Sequence, residues 1–260
     1  MKKPASQRKG VTRKPAHAAA LPAANGRSSA KVAEVVARKI ARRIGAEKLA
    51  PGTQLESEAQ MLSMYGVARA SLREALRILE VHGLITIKAG PGGGPVVAGV
   101  STRDFGRMST LYFQAGTMTF RELIEARIVM EPVMARLAAE RSDAALIDKL
   151  LALSIPLESD HEYLHSSAEF HRLVASMSDN RILNLFSHSL EDIFHDRVSG
   201  MLFPVSRREK VVEVHAAIAR AIARGEAAKA ERLMRDHMLE YAKYVERRYP
   251  ALMDEVVDWR

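Results

Sequence analysis

The chain contains no cysteine, which rules out disulfides and thiolate metal sites, although it says little about compartment. No apolar run approaches the roughly 18 residues that span a bilayer, and the amino terminus lacks the apolar core of a secretory signal. The expectation is a soluble, cytoplasmic protein with no membrane partner. Acid is absent from residues 1–30, which carry seven Lys and Arg. Residues 31–98 hold ten basic and six acidic side chains, so of the net charge of +8 the remainder of the chain carries −3. A case for a nucleic-acid partner must therefore come from the placement of charge and not from its total. Alternating runs of the strand type are missing beyond residue 118, so that part is expected to be helical.

The most structured signal lies between Pro51 and Gly94. Ser57 and Gln60 have the spacing of a capping box, which opens a helix at Glu58, with Met61, Leu62 and Tyr65 on its apolar face. Gly66 supplies a residue that can reverse the chain with positive φ. Leu72, Leu76 and Leu79 then form one buried stripe, while Arg69, Arg73 and Arg77 recur every four residues on another face. After Gly83, a strand at 84–88, the loop Ala89-Gly90-Pro91-Gly92-Gly93-Gly94 and Pro95-Val96-Val97 read as a hairpin. Two helices, a tight turn and a Gly-rich hairpin make a winged helix-turn-helix. Its second helix fits the major groove, with Arg69, Ser71 and Arg73 as groove-facing candidates and Lys88 in the wing. For an isolated helix the same arginines would be an ordinary solvated face; the order of the elements favours DNA.

At 260 residues the chain suits two domains. Residues 1–28 have the composition of a disordered basic tail, which would add salt-sensitive DNA affinity or be dispensable. The winged helix-turn-helix spans 29–98, with a helix from Ala30 to Ile44 behind it, and 99–118 read as a linker or short connecting element. From 119 to 246 an all-α effector-binding and dimerisation domain is expected: a long helix from Thr119 to Arg141, kinked at Pro132, then helices near 143–154, 159–176, 180–198, 206–223 and 226–247. A tail over 247–260 completes the division. The fold class is thus mainly α, a winged helix-turn-helix joined to a helical bundle.

Over roughly residues 30–246 the sequence resembles GntR-type transcriptional regulators, and its second part resembles the FCD-type helical effector domain of their fatty-acid-regulator (FadR) branch. The markers are Pro51-Gly52, Leu55-Glu56-Ser57-Glu58, Gly66-Val67, Leu72-Arg73-Glu74-Ala75-Leu76 and Gly83-Leu84, followed by Arg127, Glu131-Pro132, Ala138-Ala139, Phe170-His171, Asn180, His215, Ala230 and His237. The resemblance implies a nucleoid-associated bacterial homodimer that reads a short palindromic operator and whose DNA affinity is altered by a small ligand in the helical domain. Carried over by position, the DNA-reading residues are Arg69, Ser71, Arg73, Lys88 and Gly90. Ala59 stands where many relatives have arginine, and Ala68 where many have a polar N-cap, so the usual operator sequence does not transfer automatically.

His171, His215 and His237 lie on three separate expected helices, each on a face that also carries apolar residues. Neutral imidazoles suit zinc or nickel, and three of them with an open position would accept a carboxylate. Relatives that bind metal usually add an aspartate four residues before the first histidine; here that position is Ser167, a poor neutral ligand. The alternative is three hydrogen-bonded core histidines. Arg127 joins these as an effector-binding candidate through its planar fork, or else forms an internal salt bridge with Glu131. His161, His165, His188 and His195 are assigned no role.

Three function classes follow. A DNA-binding transcriptional regulator responsive to a small organic acid, expected to be a repressor of a catabolic operon, accounts for both halves. A metal-dependent hydrolase needs a general base, but Glu169 and Glu213 lie two residues before His171 and His215 and so point elsewhere on a helix. An architectural DNA-binding protein leaves the acidic helical part without a use. The expectation is a regulator and not an enzyme.

Overall fold

The computed structural model describes residues 26–90, 92–99, 101–141, 144–154, 160–198 and 205–258. The chain divides after Ala98 into two compact units. Of the expected basic tail, only residues 26–28 are among those described, and they begin a helix.

The first unit contains α1 (Gly26–Ala46), α2 (Glu58–Tyr65), α3 (Arg69–Val81), β1 (Ile85–Lys88) and β2 (Gly94–Val97). The capping box is formed: the Ser57 hydroxyl accepts from the Gln60 amide, and the Gln60 side chain accepts from the Ser57 amide at 3.0 Å. Gly66 has φ +63° and ends α2 by donating to the Leu62 carbonyl, a conformation that costs a residue with Cβ more than glycine. At the start of α3, Ala68 makes no side-chain cap. Leu72, Leu76 and Leu79 are buried with Val36 and Ile40 of α1, Met61 of α2, and Ile85 and Val97 of the hairpin. Arg43 adds an ion pair to Glu56, with Nη2 2.7 Å from each carboxylate oxygen, which fixes the segment leading into α2.

The wing is antiparallel, pairing Ile85 with Val97 and Lys88 with Gly94. A Cβ on Gly93 would lie 2.3 Å from the Lys88 carbonyl oxygen, so only glycine lets the two strands close here. Gly93→Ala is expected to cost about 1–3 kcal/mol through forced backbone movement. Urea unfolding measures this, and unchanged stability would mean the wing does not close so tightly.

The second unit is all-helical among its described residues: α4 (Thr102–Ala115), α5 (Phe120–Arg141), α6 (Ala144–Ala152), α7 (Asp160–Met177), α8 (Arg181–Val198), α9 (Val205–Ala223), α10 (Ala227–Arg248) and α11 (Pro250–Met253). An isolated bridge joins Thr119 to Val256. Two expectations are corrected. Residues 102–115, read as part of a linker, form α4, whose N-cap Ser101 accepts from the Asp104 amide and which packs on α8. The region read as a tail after 246 contains the end of α10 and all of α11, and it buries Leu252, Met253 and Val257.

α5 continues through Pro132 and packs along α10, with α7, α8 and α9 also against it. One apolar cluster gathers Leu150, Phe170, Ile218, Met234 and Met238, and another gathers Phe120, Ile124, Phe194, Val245 and Met253. Arg127 lies over the Phe194 ring of the second cluster, and His215 stacks on Phe170 of the first, with centroids 4.0 Å apart. A buried polar seam therefore runs where the two clusters meet.

Candidate functional site

On the first unit, Arg69, Arg73 and Arg77 are exposed along α3, and Lys88 and Gly90 are exposed in the wing. Glu58, in the first turn of α2, holds two of these arginines: its carboxylate is 3.3 Å from Arg69 Nε and 3.2 Å from Arg73 Nε. Both arginine side chains remain about two-thirds exposed (68% and 65%), so these ion pairs are of the weak, solvent-screened kind that a phosphate can displace. Ser71 is different. It is buried, with its hydroxyl 3.3 Å from that of Ser29 on α1. The expectation that Ser71 faces the groove is corrected: α1 packs on α3 along the side that carries Ser71 and Ala75, where small residues let the helices approach. Ala59 is exposed on α2.

In the second unit the three histidines converge. His171 comes from α7, His215 from α9 and His237 from α10, all buried. His215 Nε2 lies 3.1 Å from His237 Nε2, which lies 3.4 Å from His171 Nε2, and one ligand atom from each residue falls within a 4.8 Å cluster. Nitrogens about 2.0–2.1 Å from a tetrahedral zinc are about 3.3 Å apart, which the His215–His237 and His237–His171 separations match. Arg127 and Glu131, one turn apart on α5, form a buried ion pair at 2.7 Å. The other oxygen of Glu131 takes a short hydrogen bond from His171 Nδ1.

That contact decides the chemistry of the ring. Burial alone would raise the Glu131 carboxyl, but the charge of Arg127, and then of His171, outweighs it and holds the group at about 2. An ionised carboxylate only accepts, so Nδ1 of His171 carries the proton that Glu131 takes, and Nε2 is the ring nitrogen that faces the other two histidines. Burial, and then the neighbouring His171, depresses His237 to about 3. Burial, with His237 and His171 beside it, pushes His215 well below its ordinary value. His215 and His237 are thereby kept neutral, the state in which an imidazole binds a metal.

Arg127 and Glu131 thus do what the i, i+4 spacing suggests, but Glu131 does more: it orients a candidate ligand 40 residues away. Glu191 and Arg172 were not anticipated. Glu191 on α8 is buried, 3.8 Å from Arg172 Nε with no hydrogen bond between them, and burial raises its carboxyl to about 7 despite the charge of Arg127. The only sequence hint was Arg172 beside His171. Ser167 is partly buried, and His188 makes a structural contact of 3.1 Å to the Arg172 carbonyl.

These shifts set a pH dependence for the metal-free protein. The unfolded chain protonates His237 below about pH 6.5 and the folded chain does not, so acid removes stability, by about 2 kcal/mol from His237 alone at pH 5. His215 acts in the same direction. Glu191 opposes them: held up at about 7, it costs stability as pH rises from about 4.5 to 7 and is relieved in acid. Chelated Glu191→Gln should therefore lose stability more steeply than the parent between pH 7 and 5, measured by urea unfolding. A slope no steeper than the parent's would contradict this assignment.

A winged helix-turn-helix in the same chain as a helical bundle centred on buried histidines defines a class, the transcriptional regulators that pair a DNA-reading unit with a separate helical domain. Residues 32–94 match the family model for bacterial regulatory proteins of the gntR family, and residues 122–240 match the FCD domain. The chain is a GntR-family transcriptional regulator with an FCD domain. It is 29% identical over 226 residues to the uncharacterized HTH-type transcriptional regulator YcbG of Bacillus subtilis (strain 168), covering 86% of this chain and 92% of that protein. It is 28% identical over 223 residues to the HTH-type transcriptional repressor NanR of Escherichia coli (strain K12), covering 80% and 82%. The solved structure of Streptococcus agalactiae GntR shares the fold, with a TM-score of 0.57 at 22% identity over 81% of this chain and 99% of that one.

GntR-type regulators bind DNA, and FCD domains bind small-molecule effectors and often a metal. The domains and relatives are those of regulators and not of enzymes, which sets the hydrolase aside. No helix among the described residues is long and apolar enough to cross a membrane.

Proposed function

We propose that this chain is a ligand-responsive repressor of the FadR branch that binds a palindromic operator as a homodimer and is controlled by a small organic acid. Arg69 and Arg73 enter the major groove and exchange Glu58 for bases or phosphates, while Lys88 and the wing backbone near Gly90 follow the phosphates. His171, His215 and His237 hold a zinc or nickel ion, with Glu131 fixing the ring of His171 and Arg127 locking Glu131. A bound ion would supply an electrophilic position open to a carboxylate. The observation that carries this reading is the approach of the three Nε2 atoms, 3.1 and 3.4 Å apart in sequence, behind a carboxylate that sets the tautomer. The name of the NanR relatives favours repression.

Control needs a ligand with different affinities for two dimer geometries, one of which sets the recognition helices about one DNA turn apart. The test is fluorescence anisotropy of the full chain on DNA from upstream of its own gene, with scrambled DNA as control. Saturable binding to a palindrome at half-site spacing is expected; affinity indifferent to sequence would favour an architectural role instead.

A further inference from the structure

A cleft of about 130 Å³ lies between α9 and α10 and runs from the exposed Lys210 and Glu240 to the buried Val211 and His237. Arg207, Lys210, Val211 and Val214 are spaced i, i+3, i+4, i+7 on α9, and His215 follows directly. His237, Glu240 and Tyr241 have the same spacing on α10. One face of each helix therefore carries both a candidate metal ligand and a wall of the cleft. Of the three histidines, His237 is the most exposed, at 9% against 7% and 2%, in keeping with its place in the cleft lining.

Two cations and one carboxylate line this passage. Lys210 Nζ is paired with Glu240 at 3.1 Å, both side chains about half exposed or more (65% and 47%). An incoming anion can displace such a pair at little cost. Arg207 lies over the Tyr244 ring, 5.5 Å from its centroid, which steadies its long side chain beside the cleft. Apolar side chains, Val211 and Val214, lie along the same stretch of α9.

We infer that Arg207 and Lys210 form a second anion-binding position, and that the effector is accordingly a short organic acid with an anionic group at each end. One carboxylate meets the histidine centre, the apolar stem passes Val211 and Val214, and the second carboxylate takes Lys210 from Glu240 and pairs with Arg207. This rests on the proposed binding of an acid at the histidines, and it narrows the effector class to dicarboxylates and their close analogues.

The test is calorimetric titration of the zinc-loaded full chain with succinate, glutarate and adipate, each compared with the monocarboxylate of equal length: butyrate, valerate and hexanoate. At least one diacid should bind about tenfold or more tightly than its partner. Lys210→Gln, and Arg207→Gln with it, should erase that ratio by bringing diacid affinity down to that of the matching monoacid. Glu240→Gln, which frees Lys210, should increase it. Lys210→Gln alone keeps the test valid if the Arg207 change disturbs Tyr244. Should monoacids bind, and be lost in His171→Ala, while no diacid gains an advantage, the second anchor is wrong and the histidine reading stands. Absence of binding by either series would overturn both.

Discussion

Replacing Arg69 or Arg73 with alanine should weaken binding to a specific operator by about ten- to a hundredfold each, and the double replacement should leave only salt-sensitive, sequence-indifferent affinity. A good bidentate contact to guanine contributes about 1–3 kcal/mol of discrimination, and α3 exposes these two guanidinium groups next to each other on one face. Glu58 sharpens the expectation. In the free protein its carboxylate reaches both arginines, so Glu58→Gln should release them and raise affinity for unrelated DNA, flattening specificity. Ser71→Ala should leave base preference intact, because the hydroxyl faces Ser29 of α1. Anisotropy titrations at two salt concentrations separate these effects. Loss of base preference in Ser71→Ala, or full specific binding in the double arginine variant, would show that another surface reads the DNA.

Loss of the Glu131 charge should be as damaging to the helical domain. Outer carboxylates that hold a ligand histidine typically contribute 10–100-fold to metal affinity, and Glu131→Gln should lower zinc affinity by about that factor in competition with a chelator. Glu131 also neutralises the buried Arg127. Removing one partner of a buried pair costs about 3–5 kcal/mol, so the variant should unfold at lower urea even without metal. His171→Ala separates the two roles: metal binding is lost, while the Arg127–Glu131 pair remains and stability in chelator falls less. Equal zinc affinity in Glu131→Gln would contradict the orienting role of this carboxylate.

Much of this was legible in the sequence, for reasons that differ by element. Helices α5 to α10 bury long aliphatic side chains at helical spacing, which leaves a strong periodic signal. The winged unit was readable from its punctuation, Ser57 and Gln60 at one end of α2 and Gly66 at the other. α4 gave little signal because its buried contacts are small or polar: Gly106 approaches Ser189 of α8, and Thr110 is buried beside it in sequence by one turn. α11 is a four-residue helix beginning at Pro250, too short for periodicity. It buries only two apolar residues, Leu252 and Met253.

Ser71 failed for a related reason. Polarity and helix position mark it as a reader, but which side of α3 meets α1 depends on packing between residues 42 apart, Ser29 and Ser71. The histidine cluster shows both sides of this. Three histidines on apolar faces could be expected to meet, and do. That Glu131 would turn one of its oxygens to His171 required the three-dimensional arrangement, since the i, i+4 pattern accounts only for Arg127. Ser167 leaves three protein ligands in the cluster, which suits a centre that keeps a position for the effector better than a closed structural site.

The most direct measurement is the native mass of the full chain after incubation with zinc and removal of the excess. A bound zinc on each chain, lost in His171→Ala, His215→Ala and His237→Ala, is the expected result. A metal-free mass in the parent protein, or zinc retained in all three variants, would contradict a metal centre at the histidines.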